Sequence, residues 1–215
     1  MANDIIFYRN IFPNWVVAGT TSKHFGDIKN PENQKKLVEA LNISTNSLYC
    51  LEQKHTAVIR EIGTESTFGI GSHLRGNDKE DMVGDGLVTD KKDKVIFVKT
   101  ADCVPVLIVE QKEKLIMVLH AGRVGLQKQI VDLGIKLILK KGGNVKKIKI
   151  LLGPFIEAKC YDLDLENTVR LQLVNNGIAE KQIISVGKCT YCNSEDYFSY
   201  RRGDDARMAT FITMI

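Results

Sequence analysis

Residues Lys94–Gly125 read KVIFVKTADCVPVLIVEQKEKLIMVLHAGRVG, and the fold turns on them. Two apolar runs flank a short charged turn, Glu110-Gln111-Lys112-Glu113. A glycine-bounded corner, Gly122 to Gly125, then leads into a helix. A turn symmetric about the Gln111–Lys112 bond predicts an antiparallel hairpin with Cys103 directly across from His120. Directly opposed residues share a face, with Cβ atoms about 5 Å apart. A thiolate and an imidazole at that separation suit one shared metal ion, or a nucleophile and its base. Pro105 has no N–H for the ladder, so its strand is expected at an edge, bulged, or leaving the sheet at that point.

Outward from the hairpin, the chain alternates strands and helices without strict βαβ repetition. Residues 5–19 read as one or two strands broken at Pro13. Asn30-Pro31-Glu32 starts a helix, with a side-chain cap followed by a proline that loses no donor. Strands are expected over Ser47–Cys50 and Thr56–Ile62, flanking Glu52-Gln53-Lys54-His55. The glycine-rich segment Gly63–Asp85 reads as a long surface excursion. After Gly125, the spacing of Leu126, Ile130, Leu133 and Leu137 predicts a single helix ended by Gly142-Gly143. Lys147–Leu152 is a strand, and Asp164 caps a helix that ends at Asn176-Gly177. Short strands and polar turns fill Ile183–Ile215. Together these predict one α+β domain over residues 1–215, a sandwich of mixed sheets covered by helices.

Composition narrows the function classes. The chain has 215 residues, 44% hydrophobic and 26% charged, with a net charge of +4. That charge is too small and too scattered to argue for nucleic acid. No apolar run reaches the length of a membrane span, and the first fifteen residues lack the unbroken apolar stretch of a secretory signal. A cytoplasmic location is expected. Five cysteines, an odd number without dense spacing, are expected to be reduced there.

Histidine is scarce: only His24, His55, His73 and His120. A multicopper oxidase needs far more imidazoles than four. One metal ion is within reach, on Cys103, His120 and a further histidine, with an open fourth position as in a catalytic zinc site. His55 is the better third ligand because an apolar segment could carry it to the same sheet. His73 sits in the glycine-rich excursion and would lose more entropy on fixation. Asp102 reads either as a turn former or as a carboxylate supporting the site or its substrate. Cys189-Thr190-Tyr191-Cys192 is a lone C-x-x-C and reads as ordinary thiols. Arg201 and Arg202 suit a phosphate through their planar forks, or pair internally with Asp204 and Asp205. Arg123 stands at the strand-to-helix corner, where N–H groups meet anions. His24, next to Lys23, is a substrate-pocket candidate.

Taken in order, Gln53-Lys54-His55, Asp85-Gly86-Leu87-Val88-Thr89, Thr100-Ala101-Asp102-Cys103-Val104-Pro105-Val106, His120-Ala121-Gly122, Gly153-Pro154, Cys160-Tyr161-Asp162, Cys189-Thr190 and Phe198-Ser199-Tyr200-Arg201-Arg202 form one ordered set. The set resembles, over essentially the whole chain, the laccase-domain or polyphenol oxidase-like family, whose members are regarded as zinc-dependent purine nucleoside phosphorylases with adenosine deaminase activity. The resemblance implies an α/β sandwich similar to a toxin-like cysteine hydrolase. It implies a metal, zinc with copper as the alternative, on His55, Cys103 and His120. It also implies small-molecule partners, a purine nucleoside (the adenosine, inosine and methylthioadenosine class) and phosphate, in a monomer or homodimer. Lys23, His24, Asp102, Arg123, Arg201 and Arg202 are the expected substrate-binding residues.

Two departures stand out. The family reads His-Ala-Gly-Trp-Arg-Gly where this chain has His120-Ala121-Gly122-Arg123-Val124-Gly125. Its Thr-Arg-x-Gly-Gly loop is approximated by Thr21-Ser22-Lys23-His24-Phe25-Gly26, with lysine for arginine. The residues also leave open a cysteine hydrolase with Cys103 as nucleophile and His120 as base, and a metal-stabilised binding module without catalysis.

Overall fold

The computed structural model describes residues 4–44, 47–63 and 83–215. His73 and most of the glycine-rich excursion therefore lie outside the described residues. Eleven strands and four α-helices follow in chain order among these residues: β1 (Ile5–Phe7), β2 (Val16–Thr21), α1 (Pro31–Leu41), β3 (Leu48–Tyr49), β4 (Ile59–Glu61), β5 (Gly86–Thr89), β6 (Val95–Thr100), β7 (Val104–Glu110), β8 (Leu115–Ala121), α2 (Arg123–Gln127), α3 (Ile130–Lys140), β9 (Ile148–Leu152), α4 (Leu165–Asn175), β10 (Ile183–Ser185) and β11 (Met208–Met214).

They build two mixed sheets. One has the order β1-β2-β11-β6-β3 and the other β10-β9-β7-β8-β5-β4. Alternate residues of the central strands explain how the sheets stack. Leu107, Val109, Ile116 and Val118 of the larger sheet meet Ile96, Val98, Ile212 and Met214 of the smaller one in a core between them. The opposite face of the larger sheet, with Val106, Ile108, Met117 and Leu119, is covered by α3 and α4. The outer face of the smaller sheet, with Val95, Phe97 and Phe211, is covered by Leu37 and Val38 of α1. The result is an α+β sandwich of four layers. Strands β7 and β8 are buried along their whole length, which is why both read as unbroken apolar runs.

The hairpin forms, but its register differs from the expectation. Pro105, not Cys103, is opposite His120, and Glu110 pairs with Leu115. Glu110 is the last strand residue rather than part of the turn. Its buried carboxylate accepts the N–H groups of Lys112 at 3.1 Å, Glu113 at 2.7 Å and Asn144 at 3.1 Å. The loop becomes Gln111–Lys114 and closes through Lys114 at φ 52°. The shift moves the partner of His120 by two residues. Since faces alternate with period two, Cys103 keeps the same side as His120.

Of the three places expected for Pro105, the edge is not what forms; the strand leaves the β9 ladder at this residue, since pairing with β9 begins only at Val106. Strand β7 is central, paired with β8 on one side and β9 on the other. The proline is tolerated because it is the second residue of the strand. Its carbonyl accepts from Gly153 N at 3.0 Å, and β9 has ended at Leu152, so the missing N–H interrupts no ladder.

The helix expected after Gly125 is two helices. Gln129 takes a left-handed conformation, φ 61° and ψ 39°, between α2 and α3. The break resets the helical phase. In α3 the buried side is Ile130, Val131, Gly134, Ile135 and Ile138, while Leu133 is 42% exposed. The capped starts at Asn30 and Asp164 form as expected, with Asn30 accepting from Glu32 N and Asp164 from Asn167 N. The C-terminal stretch holds more than short strands, because the fully buried seven-residue β11 sits between β2 and β6. Among the described residues, no helix is long and apolar enough to cross a membrane.

Candidate metal centre

The larger sheet carries the centre at one end. His120 is the penultimate residue of β8. Cys103 lies one residue before β7, in the turn Ala101–Cys103. The register, carried one step past its last pair, sets Gly122 opposite Cys103. A Cβ at Gly122 would stand 2.6 Å from Cys103 Sγ and 3.1 Å from His55 Cδ2. Only glycine leaves that space, and the sulfur and the His55 ring fill it.

His55 arrives on the loop before β4, at φ 53°. Gln53 anchors this loop to β6 by exchanging two 2.8 Å hydrogen bonds with the backbone of Lys99. Ligand atoms of His55, Cys103 and His120 all lie within 4.8 Å of one another. Cys103 Sγ is 3.9 Å from His55 Nε2, and the two imidazole centroids are 4.9 Å apart. His120 is 5% exposed while His55 is exposed, so the cluster has a buried floor and an open side.

Asp85 organises the cluster, although the sequence placed it at the end of the glycine-rich excursion and not among the site residues. Its side chain is fully buried. Oδ1 lies 2.7 Å from His120 Nδ1 and 3.2 Å from His55 N. Oδ2 accepts from Thr56 N at 2.5 Å and from Thr56 Oγ1 at 2.7 Å. An ionised carboxylate only accepts, so a His120 proton sits on Nδ1, and Nε2 is the nitrogen left for a ligand once its own proton is displaced. A carboxylate behind a histidine is the usual support of a metal-bound imidazole. Only the strand pairing could have flagged it: Gly86 pairs with Leu119, which sets Asp85 beside His120.

The electrostatics agree. Burial pushes the Cys103 thiol up, but the neighbouring His120 and His55 outweigh it and bring it down to about 6. Burial alone would lower His120, yet Asp85 and Cys103 raise it to about 9. Burial also works against the Asp85 carboxylate. His120, Thr56 and their hydrogen bonds hold it below the ordinary carboxylate range all the same. The donor set of one thiolate and two imidazoles, converging on one point, fits a tetrahedral d¹⁰ cation with a fourth position open.

The other six expected residues lie outside this cluster. Asp102, at φ 96°, turns its carboxylate away from it. Oδ1 accepts from Thr190 Oγ1 at 2.6 Å, Oδ2 from Arg201 N at 2.7 Å, and the Asp102 carbonyl from Ile156 N at 2.9 Å. It straps the C-terminal segment to the turn that carries Cys103. Arg202 is engaged with the carbonyls of Thr190, Tyr191 and Tyr197 and with Asp204. Arg201 and Arg123 place their guanidiniums 5.6 and 5.0 Å from the Tyr161 ring centroid. Arg123 also bonds to the Tyr161 hydroxyl and pairs with Asp162. Lys23 and His24 form a 3-10 turn at the end of β2, where Lys23 Nζ lies 5.7 Å from the Phe198 ring centroid. An open pocket of about 460 Å³ is lined by Lys159, Cys160, Tyr161, Tyr191 and Arg201. A larger cleft of about 610 Å³ belongs to residues 7–18 and includes none of these groups.

Comparison with known proteins agrees with this architecture. The chain is 26% identical over 249 residues to purine nucleoside phosphorylase YlmD of Bacillus subtilis, covering 93% of this chain and 88% of the relative. It is 27% identical over 148 residues to adenosine deaminase RL5 of an unknown prokaryotic organism, covering 55% and 56%. The crystal structure of Bacillus licheniformis hypothetical protein YfiH superposes with a TM-score of 0.85 at 23% identity, over 99% of this chain and 97% of that one. The crystal structure of Geobacillus stearothermophilus YlmD gives 0.80 at 26%, over 94% and 92%. Residues 21–164 and 161–215 match the family model described as multi-copper polyphenol oxidoreductase laccase, and the chain belongs to that family.

Proposed function

We propose that this protein is a cytoplasmic zinc-dependent purine nucleoside phosphorylase with adenosine deaminase activity. The observation that carries this reading is the convergence of His55, Cys103 and His120, with the buried Asp85 fixing the His120 proton on Nδ1. Relatives aligned over most of their length and called purine nucleoside phosphorylases support the reaction class. The family's multi-copper description does not carry over, since four histidines cannot furnish a multicopper set.

Bound at these three residues, zinc supplies a Lewis acid and a water of lowered pKa. The chain's own residues do the rest. Asp85 holds the His120 imidazole in one tautomer and orientation, and it fixes the His55 loop through two backbone N–H groups. Gly122 leaves the close space that Cys103 and His55 occupy. For phosphorolysis an anion must be held near the sugar's anomeric carbon. Arg201 and Arg123, both close to the Tyr161 ring, are the groups we assign to phosphate, with Lys23 as a further cation. Arg202 is left a positioning role because its donors already meet four acceptors.

The test is bound-metal analysis together with adenosine and inosine turnover with and without phosphate. The reading expects zinc in the isolated protein, free base and ribose 1-phosphate only when phosphate is present, and inosine from adenosine in either case. Zinc-loaded protein with neither reaction overturns it. The lowered Cys103 thiol beside His120 favours a second reading, a cysteine hydrolase. That reading requires Cys103 to be alkylated rapidly in the protein as isolated, which bound zinc would prevent.

A further inference from the structure

The lone C-x-x-C has a third partner. Cys160 ends a 3-10 turn, Ala158–Cys160, after β9, whereas Cys189 and Cys192 flank the turn after β10. The two segments are clamped together by a parallel bridge between Phe155 and Cys189. Phe155 N donates to the Lys188 carbonyl at 3.2 Å, and Thr190 N to the Phe155 carbonyl at 2.9 Å. The C-x-x-C turn is closed in its own right: Asn193 gives the Cys189 carbonyl both its N–H, at 3.0 Å, and its side-chain amide, at 2.7 Å.

This frame brings the three sulfurs within 4.8 Å of one another, with Cys160 and Cys192 3.3 Å apart. All three cysteines are free. Thiols hydrogen-bond weakly, so packing them together brings little by itself. Tetrahedral zinc with three sulfurs at about 2.3 Å requires mutual separations of about 3.8 Å, a value between the 3.3 Å of Cys160–Cys192 and the 4.8 Å limit within which all three sulfurs lie. Cys189 is 1% exposed and its sulfur accepts the N–H of Glu157 at 3.5 Å, so the buried thiolate has a backbone donor waiting. Cys192 is exposed and Cys160 half-buried on the edge of the 460 Å³ pocket, so the cluster has a floor and a mouth.

We propose that Cys160, Cys189 and Cys192 form a second metal site, a three-thiolate seat for zinc whose fourth position faces the pocket lined by Tyr161, Tyr191 and Arg201. It shares no ligand with the His55–Cys103–His120 cluster and does not depend on the reaction assigned there. The two are mechanically joined. Thr190, next to Cys189, donates to Asp102, next to Cys103. Glu157 N bonds Cys189, and its neighbour Ile156 N bonds the Asp102 carbonyl. An ion at the thiolates therefore fixes the strap that carries the Cys103 turn. Each thiol gives up one proton on binding and no electron is transferred.

The experiment compares zinc content per chain, after phosphine reduction and dialysis against zinc ions, for the full-length wild type, C160S/C192S and C103A. The proposal expects C160S/C192S to hold one zinc fewer than wild type, whatever the other cluster holds. It also expects C103A to keep the near-ultraviolet thiolate-to-cobalt absorption when cobalt(II) replaces zinc. Equal zinc in wild type and C160S/C192S overturns it, as does loss of the cobalt band in folded C103A. A second measurement needs no variant. In reduced wild type, zinc must slow iodoacetamide labelling of Cys160 and Cys192 at least tenfold, and a chelator must restore it. Labelling indifferent to zinc, or a Cys160–Cys192 disulfide that reforms under excess zinc, overturns the site.

Discussion

At the scale of single residues, Asp85 decides more than the histidines and the cysteine beside it. One buried carboxylate meets His120, His55 N and both donors of Thr56. Asp85→Asn keeps the volume but replaces one acceptor oxygen with an NH₂ that must face donors. We expect zinc affinity to fall 10- to 100-fold, the usual cost of losing such support, with global stability lower by about 2–3 kcal/mol. Competition against a chromophoric chelator and urea unfolding measure the two. Unchanged affinity would mean that the carboxylate supports only the loop.

Cys103 gives a pH prediction at the same scale. Its thiol titrates at about 6 in the metal-free protein, against about 8.5 for an unperturbed cysteine. A depressed pKa means the reactive thiolate is present above that value and lost below it. Iodoacetamide labelling of chelator-treated protein should therefore be near its plateau at pH 7 and fall to half near pH 6. In His120→Ala, which removes the main charge partner, the midpoint should rise by at least one pH unit. A midpoint near 8.5 in the wild type would remove the thiolate–imidazolium pair.

At the scale of elements, the hairpin shows how far local sequence carries. Strand type, the presence of a tight connection and the shared face of Cys103 and His120 were legible from two apolar runs around a charged tetrapeptide, whereas the loop itself is Gln111–Lys114. The register was not, because it depends on Glu110, whose carboxylate is captured partly by Asn144 from a distant turn. The helix break at Gln129 was hidden for a like reason. No proline or glycine marks it, and Leu126, Ile130, Leu133 and Leu137 continue the periodicity across a residue that tertiary packing turns left-handed. Cys160 joins Cys189 and Cys192 from 29 residues away in sequence, a proximity created only by the bridge after β9. Glu110→Ala tests the register argument. It removes the acceptor of three backbone N–H groups, two of them in the loop. We expect a loss of about 2–4 kcal/mol, read as a lower urea midpoint at unchanged slope. A loss under about 0.5 kcal/mol would show that water replaces the carboxylate and that the loop sets its own register.

At the scale of the molecule, the centre collects parts that only the finished sandwich brings together. His55 comes from the loop before β4, Asp85 from the entry to β5, Cys103 from the entry to β7 and His120 from the end of β8. The strap at Asp102 adds Thr190 and Arg201 from the C-terminal region. The unfolded chain has no such arrangement, so the zinc binding proposed for this site would add to the free energy of folding. At free zinc one hundred times the dissociation constant, linkage gives about 2.7 kcal/mol. For a chain of this size each kcal/mol moves Tm by roughly 2–4 °C, so chelation should lower Tm by about 5–11 °C. The measurement belongs in C160S/C192S, where the thiolate cluster cannot contribute. The triple variant C103A/C160S/C192S should show no shift with chelator or with added zinc. A shift that survives in the triple variant would place the stabilising ion elsewhere in the molecule. No shift in C160S/C192S would mean that the His55–Cys103–His120 cluster holds its metal too weakly to couple to folding.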